Sequence, residues 1–284
     1  MRVRTLSFLF ALTSVALAIG QPVFTTPETV IVPNGKLHLK AFLWKPSGPG
    51  PFPAVFFCHG SGDADAGHTA GLPITEAAEK LAPSFLEHGY AFLYLFRRGQ
   101  GLSADQGSFM QDLLQHEEAT KGKEARQHLQ VVLATTDHLD DVIAGLLFLK
   151  AAPAIDARRI GIAGHSFGGQ LTLLAAERDN SVRAAVTFAA AANSWERSAE
   201  LRDRLLAAAD KATAPIMLIQ AANDYSTAPG YALADELERQ HKPHLLKIYP
   251  SIGRTSEDGH NFLYLAIPQW EDDVFGFLDE HVKR

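Results

Sequence analysis

From residue 54 onward, short apolar runs alternate with longer segments whose apolar positions recur at helical spacing. Ala54-Val55-Phe56-Phe57-Cys58 is continuously apolar, as a strand covered on both faces must be. Runs of similar length at Tyr90–Phe96, Ile160–Ala163, Val182–Phe188, Ile216–Ala221 and His244–Tyr249 predict further strands. Helices are predicted between them: within Ile74–Glu87, interrupted near Pro83, and over His138–Leu149, where Leu139, Val142, Ile143, Leu146 and Leu147 share a face. Others are expected at Glu196–Ala209, with Asn193 and Glu196 as a capping pair, at Gly230–Arg239, and at Trp270–Val282. Strand–helix alternation of this kind implies a mostly parallel sheet with crossover helices. Ahead of it, Thr29–Val32 and Leu37–Leu43 flank Pro33-Asn34-Gly35-Lys36, which reads as an N-terminal β-hairpin. Residues 21–284 are expected to form one α/β domain, without repeats, low-complexity segments or linkers.

The first twenty residues break the pattern. Arg2 and Arg4 precede an apolar run from Leu6 to Ile19, and Ala16-Leu17-Ala18 fits a small-x-small cleavage site. The run is short for a membrane span, so residues 1–20 read as a secretory leader and the mature chain as secreted or periplasmic. Stable membrane insertion after its removal is not expected. A net charge of −6 offers no basic patch, which argues against nucleic acid as a partner. A single cysteine, Cys58, excludes an internal disulfide, and its place in an apolar strand marks an inert thiol.

The chemistry concentrates at Gly164-His165-Ser166-Phe167-Gly168, between the strand Ile160–Ala163 and an apolar helix beginning near Leu171. Gly-x-Ser-x-Gly on a strand-to-helix turn lifts the serine out of the sheet, and the following helix aims its N–H groups at an oxyanion. A serine needs a base, and the base an orienting carboxylate, in the chain order Ser, Asp or Glu, His. Asp224 follows the strand Ile216–Ala221, and His260 follows the strand His244–Tyr249. Glu257 and Asp258 are too near His260 to present a carboxylate well, Asp235 and Glu236 fall within a helix, and His165 packs beside the turn. Oxyanion donors are expected from the backbone of Phe167 and of Ser61, in His59-Gly60-Ser61-Gly62. Asp63, Asp65 and His68 match no metal pattern, and the chemistry requires no metal or organic cofactor.

With these pieces placed, the chain resembles the α/β-hydrolase superfamily, in its dienelactone-hydrolase-like and prolyl-oligopeptidase-like branch. The resemblance rests on His59-Gly60-Ser61-Gly62, Arg97-Arg98-Gly99-Gln100-Gly101-Leu102-Ser103, Asp137-His138-Leu139-Asp140-Asp141-Val142, the turn at Ser166, Asp224 and His260. It implies an α/β-hydrolase fold, with a mostly parallel sheet flanked by helices, and assigns Arg98 as a candidate partner for an acid. Two departures matter: dienelactone hydrolases proper carry cysteine where Ser166 stands, and there is no room for the propeller of prolyl oligopeptidases. The polar stretch 104–132 is expected as either a helical flap or a solvated surface helix. The segment Asn193–Ala209, where such enzymes insert a cap, is short, so an open pocket with Trp195, Tyr225 and Phe262 in its walls is expected. The expected activity is hydrolysis of small-molecule carboxylic esters by Ser166, His260 and Asp224. A peptidase using the same residues, or a non-catalytic binding protein on this fold, is the alternative. Oligomeric state is not legible.

Overall fold

The computed structural model describes residues 26–62 and 72–284. The proposed leader, and Asp63, Asp65 and His68, lie outside the described residues. The apolar runs become strands β1 (Glu28–Asn34), β2 (Leu37–Trp44), β3 (Phe52–Cys58), β4 (Ala91–Leu95), β5 (Ile155–His165), β6 (Ala185–Phe188), β7 (Ile216–Ala221) and β8 (His244–Tyr249). They form one eight-stranded sheet in the order β1-β2-β4-β3-β5-β6-β7-β8. β1 and β2 are the expected antiparallel hairpin, β2 meets β4 antiparallel, and every pair from β4 to β8 is parallel.

Side-chain alternation divides the core. Ala54, Phe56 and Cys58 face one cluster with Leu139, Val142, Leu171, Leu174 and Leu205, whereas Val55 and Phe57 face the other with Leu81, Phe85, Trp270 and Phe275. The first face is covered by α2 (Met110–Lys121), α3 (Lys123–Thr135), α4 (Asp137–Ala151), α5 (Phe167–Arg178), α6 (Ala199–Lys211) and α7 (Ala228–Arg239). The second is covered by α1 (Ile74–Glu87), the short α9 (Phe262–Leu265) and α10 (Ile267–His281), with α8 (Ser256–His260) leading into α9. Burying each large apolar side chain contributes about 2 kcal/mol, so two covered faces hold the sheet rigid beneath its loops.

Local expectations fail where packing overrules them. α1 runs unbroken through Pro83, because Leu81, Ala82 and Phe85 bury its apolar face and offset the one lost backbone bond. The helix expected at Glu196–Ala209 begins later. Trp195–Arg197 is a 3₁₀ turn, and α6 is capped by Ser198, whose Oγ accepts from the N–H of Leu201, instead of by Asn193 and Glu196. The stretch 104–132 folds into a helical hairpin, α2 and α3, turning at Gly122. It is anchored by buried Met110, Leu114, Val131 and Leu133.

Candidate active site

β5 ends at His165 and α5 begins at Phe167, leaving Ser166 alone at the turn with φ 55°. A positive φ in a non-glycine residue costs on the order of 1–3 kcal/mol and persists only when its surroundings enforce it. Here the Ser166 N–H donates to Phe188 O at 2.8 Å, pinning the turn to β6. A Cβ at position 168 would strike the backbone of Cys58 and His59, and one at 164 would strike the backbone of Gly168. Only glycine lets α5 start this close to β3.

From the ends of the last two strands come the other groups. His260 Nε2 lies 2.9 Å from Ser166 Oγ, and His260 Nδ1 lies 2.8 Å from Asp224 Oδ1. The structure therefore brings Ser166, His260 and Asp224 together in one file of hydrogen bonds. The Asp224 carboxylate is fully buried, and accepts further from the Tyr225 N–H at 2.7 Å and from Gln220 Nε2 at 3.3 Å. These bonds fix its oxygens and compensate its desolvation. The two loops are stitched by Asn223, whose Nδ2 donates to Ile252 O and Thr255 O while its Oδ1 accepts from the Ile252 N–H. Gly259 completes the joint, since a Cβ there would meet the backbone of Asn223 and Asp224. The neighbouring acids have other work: Asp258 forms a capping box with Thr255, and Glu257 receives the Tyr225 hydroxyl and Asn261 Nδ2.

Histidines around the site are held neutral. His165 donates Nε2–H to His260 O at 2.8 Å, and burial drives its pKa from 6.5 down to about 3. It packs beside the turn, as its sequence position suggests, with its ring 5.0 Å from that of His260. Burial likewise holds His59 and His138 well below the ordinary range. Cys58 is buried, its thiol pushed up to about 12 by desolvation, which removes it as a nucleophile.

Beside Ser166 opens a pocket of about 110 Å³. Ser61, Ser166 and Phe167 form its floor, the hairpin contributes Met110, Gln111, Arg126, Gln127 and Gln130, and the far side carries Asn193, Ser194 and Arg197. The stretch 104–132 is thus a pocket wall as well as a surface hairpin. None of the three expected wall residues, Trp195, Tyr225 and Phe262, lines this pocket, and two of them are buried. Trp195 is 5% exposed and belongs to the core beneath the sheet, and Phe262 is 2% exposed and stacks on Tyr249 at 4.7 Å. Both follow the same logic: an aromatic ring next to a loop buries more apolar area inward than at a polar rim. Tyr225 stays at the surface, its ring 5.1 Å from that of His260. Arg98 finds its acid in Asp141, with Nη2 to Oδ1 at 2.7 Å, and reaches Asp137 at 2.9 Å. Sequence reasoning missed the hairpin's glutamines, Arg126 and Arg197, because polar residues on an exposed helix carry no mark of what they face. Among the described residues no group of His, Cys, Asp or Glu is arranged to hold a metal ion.

Comparison with known proteins bears on the fold and the family. Est1E from Butyrivibrio proteoclasticus, solved with ferulic acid bound, superposes with TM-score 0.63 at 19% identity, covering 90% of this chain and 100% of that one. A candidate dienelactone hydrolase from Klebsiella pneumoniae gives TM-score 0.64 at 17% identity, covering 91% and 98%. An acylaminoacyl peptidase from Pyrococcus horikoshii gives TM-score 0.60 at 18% identity over 91% of this chain, but this chain spans only 42% of that protein. At such identities the likeness speaks for the fold, which is that of α/β-hydrolases. The search of curated proteins returned no match. The sequence model of the dienelactone hydrolase family matches residues 40–263, most of the chain, and the protein therefore belongs to the dienelactone hydrolase family.

Proposed function

We propose that the protein is a serine hydrolase that cleaves small carboxylic esters through an acyl-enzyme. The observation that carries this reading is the continuous file from Ser166 Oγ through His260 to the buried Asp224 carboxylate, at 2.9 and 2.8 Å. His260 Nε2 takes the Ser166 proton as Oγ attacks the carbonyl, then returns it to the departing alcohol. Asp224 keeps the proton of His260 on Nδ1 and stabilises the imidazolium. Negative charge on the former carbonyl oxygen falls near the start of α5, and the backbone N–H groups of Phe167 and Ser61 are the proposed donors to it; that both residues line the pocket with Ser166 supports this reading. Each such donor contributes on the order of 3 kcal/mol to the transition state. Water, activated by His260, then releases the acid.

The pocket favours the ester reading over a peptidase that grips a substrate amine. Its described lining contains Arg126 and Arg197 and no carboxylate to hold an ammonium group. We further propose export by way of the leader at 1–20, checked by N-terminal sequencing of the exported protein; a retained Met1 there would refute it. The direct test of function is turnover of p-nitrophenyl acetate by wild type and Ser166→Ala. Loss of at least about 10⁴-fold in kcat with an unchanged circular dichroism spectrum is expected. Near-wild-type turnover by the folded variant would refute the reading.

A further inference from the structure

Adjacent arginines at the end of β4 are used in opposite ways. Arg98 pairs with Asp141 and Asp137. Arg97 is 1% exposed and has no carboxylate partner among the described residues. Its guanidinium instead donates through Nη1 to His59 O at 2.7 Å and through Nη2 to Gly60 O at 2.8 Å. Nη2 also reaches Gln100 Oε1 at 3.3 Å, and Gln100, fully buried, donates its Nε2 to Ser61 O. Three successive carbonyls of the loop after β3 are thus gripped from behind by two side chains. The guanidinium carbon also lies 5.4 Å from the centroid of the Phe167 ring.

Peptide geometry gives this grip a consequence. In a trans peptide the C=O of one residue and the N–H of the next point in opposite directions. Drawing the Gly60 carbonyl toward Arg97 therefore turns the Ser61 N–H away from it, toward the pocket that Ser61 and Ser166 share. The Gly60 carbonyl is fixed a second time by His59 Nδ1 at 2.8 Å, while His59 Nε2 accepts from the Arg97 N–H at 3.3 Å, which sets the histidine as its Nδ1–H tautomer. Among the described residues no carboxylate touches Arg97, which lies behind the place where an oxyanion would form.

We propose that Arg97, assisted by Gln100, is the positioning residue of the oxyanion site, orienting the Ser61 donor and bracing Phe167, which supplies the second. The proposal rests on the serine-hydrolase reading above. Burial lowers the guanidinium only to about 10, so it stays charged at neutral pH.

The test uses two variants of the full chain. Arg97→Lys keeps the charge but replaces the rigid planar fork with a compact point donor that does not hold the His59 and Gly60 carbonyls in the same fixed geometry, and Gln100→Met removes the contact to Ser61 at similar size. Each is assayed for kcat and KM on p-nitrophenyl acetate and for inhibition by an aryl trifluoromethyl ketone. In that adduct Ser166 Oγ bonds to the ketone carbon, its proton passes to His260, and the carbonyl oxygen becomes an oxyanion. Arg97→Lys is expected to lose about 10–100-fold in kcat, with KM within about twofold and inhibitor affinity weakened in proportion. Gln100→Met should lose about 3–10-fold in the same pattern. A merely structural role would lower stability without making inhibitor affinity track kcat. Folded Arg97→Lys with kcat and inhibitor affinity within about twofold of wild type overturns the proposal; if that variant does not fold, the same result for Gln100→Met does so. Failure of the underlying reading would show separately, as ester turnover indifferent to Ser166→Ala.

Discussion

The pocket has two walls built by different physics. On the sheet side, Ser166 and Asp224 stand on turns after β5 and β7 and His260 ends the short α8 after β8, fixed by backbone contacts that tolerate only glycine at 164, 168 and 259. On the other side, the α2–α3 hairpin presents Gln111, Arg126 and Gln127 from helices anchored by a few buried residues such as Met110 and Leu114. Its surface ion pairs are half-exposed, as Arg126 with Glu118 at 3.1 Å, and such pairs contribute at most about 1 kcal/mol. The sheet side is specified atom by atom, and the hairpin mainly supplies a polar surface. Changes on the first wall should therefore strike kcat, and changes on the second KM and substrate preference.

Asp224→Asn makes the sharpest cut. It preserves shape but favours the wrong histidine tautomer, so kcat should fall by about 10³–10⁴-fold with KM little altered. Steady-state kinetics on a chromogenic ester check this, and a loss under about tenfold would blur the contrast.

Leu114→Ala probes the hairpin's anchor. Leu114 is 1% exposed, and its truncation should destabilise the fold by about 2–4 kcal/mol, read from the urea midpoint. The rate of serine labelling should stay within a few-fold of wild type. An equal collapse of labelling would show that the hairpin helps set the triad.

Acid should unsettle the sheet side. His165 titrates near 6.5 when unfolded but only near 3 when folded, so the unfolded chain binds more protons in that window. His59 and His138 shift in the same direction. Stability is fully present above pH 6.5 and falls as pH drops, by about 1.4 kcal/mol per pH unit for each histidine. Urea midpoints at pH 7 and pH 5 measure it, and His165→Asn should shallow the slope. A flat profile between these pH values would contradict the burial argument.

Smallest of all, Gln127→Ala and Arg126→Gln should leave kcat and melting temperature almost unchanged and move KM by about 2–5-fold. A kcat loss rivalling that of Asp224→Asn would erase the distinction between the walls.

Much of the sheet side was legible in the sequence because its signals are local or ordinal. Continuous apolar runs mark the buried strands, glycines flank Ser166, and Asp224 and His260 fall after the two strands where chain order places them. Trp195 and Phe262 were misplaced because their direction depends on which neighbour offers the larger apolar contact. The hairpin's role was open for a related reason: whether Gln111 or Gln127 faces solvent or a pocket is decided by how two helices dock, which periodicity does not encode. Arg97 and Arg98 are alike as letters, and only the fold gives one to carboxylates and the other to carbonyls.

The central claim is that Ser166 is a nucleophile activated by His260. Labelling the folded protein with a fluorophosphonate and mapping the adduct by mass spectrometry tests it most directly. The account predicts one adduct, on Ser166, forming far more slowly in His260→Ala; an unlabelled Ser166, or turnover that survives its complete modification, would contradict it.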